Sequence, residues 1–316
     1  MAMPLVETKN LKKYFKTGAG MLHAVEDVNL KIMPGKTLGV VGESGCGKST
    51  LGRTILRLQP ATSGEVLYNG ENILKYKGKD MQKIHLNMQM VFQDPYSSLD
   101  PRMSVHNLIA EPVQVCGLLK TKAEINEHVR EIMDMCGLPA DQANLFPHEL
   151  DGGLRQRVGL ARAMAVSPKF IVCDEPVSAL DVSIQAQILN LLMDLQEQRE
   201  LSYMFITHDL CVVKHISDEI MVMYMGQVVE HAKTAELFAN PVHPYTKALL
   251  HAVPTIDLSK RNREGFTLRG EVTSPINPAP GCRFAPRCPY ATDKCKENVC
   301  LKEVSPDHFV ACSLCD

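Results

Sequence analysis

No stretch of this chain approaches the roughly 20 consecutive apolar residues that a membrane span needs. The opening segment MAMPLVETKNLKKYF also lacks the apolar centre of a secretory signal. The chain itself is therefore not expected to cross a bilayer, although it can sit on a protein that does. Charge of one sign is not in excess either: 34 Lys and Arg against 36 Asp and Glu leave a formal net charge of −2 and a pI near 6.6. No global basic field draws such a chain to nucleic acid or anionic lipid. No internal repeat is present. At 316 residues, 45% hydrophobic and 22% charged, it has the make-up of an ordinary soluble globular protein, long enough for one large domain or one domain with an appendage.

Cysteine is thinly spread and then crowded. Cys46, Cys116, Cys136, Cys173 and Cys211 are scattered, whereas Cys282, Cys288, Cys295, Cys300, Cys312 and Cys315 fall close together at the end. Without an export signal the thiols are expected to be reduced, and a cluster of this kind points to metal binding ahead of disulfides.

Short apolar runs ending in polar residues read as buried strands: KTLGVVGESGCGKST (strand, glycine loop, helix start), KFIVCDEP and LSYMFITHD. Helical patterns separate them. Ile184, Ile188, Leu191 and Leu195 mark one face of a helix starting after Asp181, and Ile125, Val129 and Ile132 mark another that Gly137 stops. Alternating strands and helices predict an α/β fold with a largely parallel sheet. LHAVEDVNLKI and EIMVMYMGQVVEHA read as hairpin strands of an antiparallel side layer. After about residue 250 the chain turns Pro- and Cys-rich, so the expected division is 1–250 and 251–316.

The segment from Gly42 to Ser49 fits G-x-x-x-x-G-K-[ST]. Its glycines let backbone N–H groups wrap phosphates at a helix N-terminus; Lys48 reaches the β- and γ-phosphates, and the Ser49 hydroxyl binds Mg²⁺. Ser44, Gly45, Cys46, Gly47 and Thr50 complete this nucleotide-binding loop, with Cys46 read as a small filler. FIVCDE supplies Asp174, to hold the Mg²⁺ shell, and Glu175, to orient and polarise an attacking water. His208, at the end of another strand, is placed to contact a γ-phosphate. Read alone, an acidic pair or a strand-end His is ordinarily structural; the loop beside them changes that reading.

Taken in order, Gly42–Ser49, Gln93 in VFQDP, the glycine pair in ELDGGLRQR, Asp174-Glu175, SALD and His208 resemble the ATPase subunit of an ABC transporter over about residues 5–235. The resemblance implies a P-loop, RecA-like core with an antiparallel β layer and an α-helical subdomain. It makes Tyr14 the aromatic that stacks on adenine, with Phe15 as the competing choice. It makes Gln93 a contact of Mg²⁺ or the water and a sensor of the membrane partner. SALD (Ser178–Asp181) contacts the opposite subunit. NPVHPYTKALLHAVP and GCRFAPRCPYATDKC resemble the oligopeptide, dipeptide and nickel importer branch. In that branch Cys282, Cys288, Cys295 and Cys312, spaced x5, x6 and x16, match ligands of an iron–sulfur cluster, [4Fe–4S], with zinc fitting the ligand count equally well and free or disulfide-bonded thiols as the remaining alternative. Cys300 and Cys315 are spare thiols, and either can replace a presumed ligand.

In this family a Leu-Ser-Gly-Gly-Gln segment completes the opposite subunit's nucleotide site. Here Asp151 stands where Ser is usual and Leu154 where Gln is usual. Gly152 and Gly153 are expected to be bare so that a γ-phosphate can approach. Against it, a carboxylate cannot donate, and like charges about 4 Å apart repel by about 4 kcal/mol at an effective dielectric near 20. Arg155 or Arg157 can offset this, or Asp151 can cap the helix and point away. Since Gln93, Glu175 and His208 are intact, the expectation is one half of an asymmetric ATPase heterodimer with a homologous second subunit. It would bind ATP and Mg²⁺, sit on the cytoplasmic face of the membrane through two permease subunits, work with an extracytoplasmic binding protein, and import di- or oligopeptides, with no nucleic acid partner. The alternatives are a soluble ABC ATPase outside transport and a nucleotide-binding metal or redox regulator.

Overall fold

The computed structural model describes residues 3–253, 274–297 and 299–315. The chain forms two compact units, one built from residues up to 32, 37–74 and 205 onward, the other from 33–36 and 75–204.

The first unit opens with β1 (Val6–Thr17) and β2 (Gly20–Ile32), long antiparallel strands joined by a tight turn. Their apolar residues Val6, Leu11, Val25, Val28 and Ile32 are buried while Lys9, Asn10 and Lys31 face out, the alternation of a sheet with one wet face. β3 (Thr37–Val41) is buried at every position, as its unbroken apolar run predicts, and leads through the glycine loop into α1 (Lys48–Ile55). β4 (Ser63–Tyr68) pairs antiparallel with β1, and β5 (Glu71–Asn72) with β4, completing a four-stranded side sheet in the order β2-β1-β4-β5.

The second unit contains α2 (Gly78–Asn87), β6 (Met88–Val91), α3 (Pro95–Ser98), α4 (Val105–Val115), α5 (Lys122–Met135), α6 (Gly152–Met164), β7 (Phe170–Asp174) and α7 (Val182–Arg199), and ends within β8 (Ser202–Ile206). β6 and β7 are parallel neighbours, with β8 beyond β7. α5 follows its sequence pattern: Thr121 and Glu124 make a reciprocal capping box, Ile125, Val129 and Ile132 are buried, and Gly137 takes φ +64° just past the end. The stripe on α7 is rotated from expectation. Ile188, Leu189, Leu192 and Leu195 are buried, whereas Ile184 and Leu191 are half-buried.

The chain then returns to the first unit with α8 (Leu210–Ile216), β9 (Glu219–Tyr224), β10 (Gln227–Lys233), α9 (Thr234–Ala239), α10 (Pro244–His251), β11 (Lys302–Ser305) and β12 (His308–Val310). β9 and β10 form the expected hairpin around Met225-Gly226, but not in the antiparallel side layer expected for it: β9 runs parallel to β3 and the hairpin belongs to that strand's sheet. β10 then pairs with β12 and β12 with β11, all antiparallel. Tail and core share one apolar cluster: Phe284, Tyr245 and Tyr224 are almost fully buried together, with Cys282 and Cys288 packed against them. Compactness therefore groups the described tail with the phosphate loop. The expected junction at 251 adjoins residues 254–273, which lie outside the described residues.

Candidate functional site

In the first unit the phosphate loop is shaped by its neighbours as well as by any ligand. Gly47, the N-cap of α1, has φ +105°, and a Cβ there would stand 2.0 Å from the Ala24 carbonyl oxygen. A Cβ on Gly42 would stand 2.2 Å from the Met223 carbonyl, while one on Gly45 would meet nothing within 4 Å. Two loop glycines thus let strands come close, and the third leaves space open. Lys48 is buried, its ammonium donating to the carbonyls of Gly42 at 2.7 Å and Glu43 at 3.0 Å. Cys46 is buried and its thiol is pushed up by that burial, so it stays a packed, unreactive group. Ser44 and Gly45 are exposed; Ser49 and Thr50 are half-buried at the start of α1.

Tyr14 lies on β1 opposite His23 of β2, their rings stacked with centroids 4.0 Å apart. The Tyr14 hydroxyl donates to Glu26 Oε1 at 2.6 Å, and His23 Nδ1, Lys12 Nζ and Arg283 Nη2 also reach the Glu26 carboxylate. Burial alone would raise that carboxyl, but the hydrogen bonds from Tyr14, His23 and Lys12 bring it down to about 2. Phe15 instead carries the Lys13 ammonium 4.5 Å from its ring centre. Tyr14 is therefore locked in one orientation by partners on its own sheet, while the Phe15 ring is covered by a cation.

In the second unit β7, buried throughout, ends at Asp174. Glu175 follows at φ +47°, a left-handed backbone that costs an ordinary residue about 1 kcal/mol or more and here turns the chain sharply at the strand end. Gln93 Nε2 donates to Glu175 Oε2 at 3.0 Å, joining two residues singled out 82 positions apart. The Ser178 hydroxyl donates to the Glu175 carbonyl at 3.1 Å, which closes the turn into SALD. His208, in the first unit, is exposed between β8 and α8, next to Asp209, whose carboxylate caps α8.

The start of α6 revises the reading of the glycine pair. Asp151 is the N-cap, and its Oδ1 accepts from the Leu154 N–H at 2.8 Å. A Cβ on Gly153 would stand 2.7 Å from Ile184 Cγ2, and one on Gly152 3.2 Å from Leu180 Cδ2. Packing inside this chain, against the first turn of α7, is enough to explain why Gly153 is bare. Arg155 donates to the Pro147 carbonyl at 2.7 Å, and Arg157 to Cys136 O and Gln187 Oε1, so both guanidiniums have partners other than Asp151.

The tail cysteines depart from expectation. All eleven cysteines are free thiols. Among the described residues no group of three or more His, Cys, Asp or Glu side chains is arranged to hold a metal ion, although Cys282 and Cys288 each lie close enough to Cys295 and Cys312 to interact with them electrostatically. Cys282 and Cys288 instead lean on the Phe284 cluster, and burial pushes Cys282 up to about 11. Cys295 is the exception: burial raises it, but hydrogen bonds with Ser313 Oγ at 3.2 Å and from the Thr292 N–H leave its thiol below the ordinary value. Cys300 is exposed and Cys315 half-buried.

Sequence reasoning missed the roles of Glu43, Tyr245, Arg283 and Arg287. The Glu43 N–H donates to the Tyr245 hydroxyl at 2.9 Å, and the Glu43 carboxylate accepts from Arg287 at 2.8 Å. Arg283, one turn earlier in the tail, binds Glu26. For the two arginines the only sequence signal was their place beside cysteines in CRFAPRC, while Tyr245 lies in the NPVHPYTKALLHAVP segment.

Residues 25–178 match the family described as ABC transporter, and residues 229–295 match the oligopeptide/dipeptide transporter C-terminal region. The chain is 47% identical over 320 residues to the oligopeptide transport ATP-binding protein AppF of Bacillus subtilis, covering 98% of this chain and 97% of that one. It is 49% identical over 315 residues to the oligopeptide transport ATP-binding protein OppF of the same organism, covering 99% and 97%. Among solved structures, the ATP-binding cassette MJ0796 as a post-hydrolysis dimer with ADP and Pi superposes with a TM-score of 0.67 at 30% identity, over 72% of this chain and 98% of that one. The chain belongs to the ATP-binding proteins of ABC transporters, in the oligopeptide/dipeptide group. It is an ATPase. Among the described residues no helix is long and apolar enough to cross a membrane.

Proposed function

We propose that this chain is one ATPase subunit of an importer of short peptides, working with a homologous but unequal second ATPase subunit on two membrane permeases fed by an external binding protein. The full-length similarity to proteins named for oligopeptide transport supports the substrate class. Which peptides pass is set by the binding protein and the permeases.

In this reading the first unit grips the triphosphate. Backbone N–H groups from Gly42 to Thr50, other than that of Glu43, and the Lys48 ammonium bind its oxygens, and Tyr14 faces the base. The Ser49 hydroxyl, the Gln93 side-chain oxygen and the Asp174 carboxylate are hard oxygen donors of the kind Mg²⁺ takes, and this donor chemistry fits that ion. When bound, the ion neutralises phosphate charge. Glu175 accepts a hydrogen bond from the attacking water and aligns it, Gln93 holds Glu175, and His208 contacts the γ-phosphate. Water adds to the γ-phosphorus as its bond to the bridging oxygen breaks, giving ADP, phosphate and a proton. We assign this work to residues 1–250 and regard 251–316 as the extension.

The single observation that carries the asymmetry is the Asp151 carboxylate on the Leu154 N–H. It fills one donor at the start of α6 and adds a negative charge where a phosphate would approach, which supports a weak contribution from this chain to its partner's site. Glu175→Gln in the assembled complex is the test. We expect hydrolysis to fall at least about 100-fold, and to fall far less when the matching acid of the partner is changed. Equal losses from the two substitutions would remove the asymmetry. The iron–sulfur reading of the tail rests on thiol type, spacing and resemblance to the importer branch, and enters no step here. Iron and sulfide analysis of anaerobically purified protein decides it, with zinc at one per chain as the contrary result.

A further inference from the structure

The acid of the phosphate loop is held from the tail, 244 positions away. Glu43 lies within the loop, between Gly42 and Ser44, its side chain only 23% exposed. An acid there is a liability for a site that must accept a triphosphate, because an uncompensated carboxylate repels it. Two contacts meet this problem. Arg287, buried with its side chain 7% exposed, donates from Nη1 to Glu43 Oε2 at 2.8 Å. The Tyr245 hydroxyl accepts the Glu43 backbone N–H at 2.9 Å, fixing the loop's main chain at the same residue.

Both groups stand on rigid footing. Tyr245 begins α10 behind Pro244, and its ring meets Tyr224 edge-on at 4.8 Å and Phe284 at 5.4 Å. Arg287 follows Phe284 by three residues, and its guanidinium also lies 3.4 Å from the Tyr224 hydroxyl. The aromatic trio thus links the hairpin, α10 and the tail to one loop residue.

We propose that Arg287 and Tyr245 are positioning residues for nucleotide binding, with Arg287 neutralising Glu43 and Tyr245 anchoring its backbone so that the phosphate loop is held in a form able to receive ATP. The proposal rests on the reading of Gly42–Thr50 as the nucleotide loop and deepens it by giving the tail a role there that needs no metal.

The test is Arg287→Met in the full chain, with Mg·ATP affinity measured by titration calorimetry in a Glu175→Gln background that suppresses turnover. KM and kcat are measured separately in the assembled complex with Glu175 intact. We expect Kd and KM for ATP to rise about tenfold, with kcat at saturating ATP within about twofold of the parent, since the chemistry keeps its own residues. Adding Glu43→Gln to Arg287→Met should return Kd to within about threefold, because no charge is then left to neutralise. Tyr245→Phe keeps the ring and removes the acceptor; it should raise Kd about threefold and serves if Arg287→Met does not accumulate. An unchanged Kd in Arg287→Met or Tyr245→Phe, or a tenfold loss that persists in the double variant, would overturn the proposal. Failure of the unsubstituted chain to bind ATP, or full binding by Lys48→Ala, would instead overturn the nucleotide-loop reading beneath it.

Discussion

Two helices in this chain begin after glycines, and their first turns are finished in opposite ways. α1 has Gly47 as its N-cap and no side chain capping it, so nothing from its own cap residue competes for the first N–H groups. α6 has Asp151 as its N-cap, and the carboxylate takes the Leu154 N–H. A helix N-terminus attracts an anion through its open donors and partial positive charge. The first helix leaves that capacity for a ligand, while the second has partly met it with an anion of its own. The glycines differ in the same sense. Gly47 is required by a strand carbonyl 2.0 Å from where its Cβ would be, a rigid neighbour, whereas Gly153 is required by Ile184 Cγ2 at 2.7 Å, a side chain that can be exchanged.

The sharpest way to break this comparison is to add the missing methyl at each site. Gly47→Ala must adopt φ +105° and displace the Ala24 carbonyl on β2. We expect a loss of more than about 3 kcal/mol by chemical denaturation and no measurable ATP binding. Gly153→Ala needs no unusual backbone; its methyl meets Ile184 Cγ2 at 2.7 Å and Asp151 Oδ1 at 3.4 Å, so its cost should be about 1–2 kcal/mol. Most of that cost should vanish in the Gly153→Ala, Ile184→Leu double variant, because leucine has no methyl branching from its Cβ. A Gly153→Ala chain as stable as its parent would show that internal packing does not account for this glycine and would return it to the phosphate explanation.

What the sequence made readable follows the range of the forces involved. The glycine loop after β3, the acid pair at the end of β7 and the apolar stripe of α5 are local patterns of period and turn, and they stand where they were expected; the β9–β10 hairpin forms as expected but in the sheet of β3, not in the side layer. The α7 stripe was half readable: the apolar residues among 184–195 define an apolar side, but only the neighbouring elements decide that Leu189 and Leu192 lie at its centre and Ile184 and Leu191 at its edges. Contacts across long separations were not readable at all. Glu43 with Arg287, Glu26 with Arg283 and Gly153 with Ile184 depend on which surfaces meet, and no spacing rule connects them. The tail cysteines illustrate the converse hazard. Residue type, spacing and resemblance suit a metal, and Cys282 and Cys288 do lie near Cys295 and Cys312, yet among the described residues no three such groups are arranged to hold an ion.

The smallest expected effect bears most directly on the contrast between the two helix starts. Asp151→Ala removes the cap and should cost about 1 kcal/mol, whereas Asp151→Ser keeps an oxygen acceptor for the Leu154 N–H and should change stability by no more than about 0.5 kcal/mol. The two substitutions share the loss of the carboxylate but differ in what replaces it, since serine also brings a hydroxyl donor and alanine brings none. If the charge at this position limits what α6 can offer a phosphate on a facing subunit, both variants should speed hydrolysis at the partner's site in the assembled complex, serine more than alanine. If the cap alone matters, alanine should lower both stability and turnover, and serine should leave both unchanged. Turnover measured with this chain's own Glu175 replaced by Gln isolates the partner's site, so the ordering of the three residues at position 151 separates a charge effect from a capping effect.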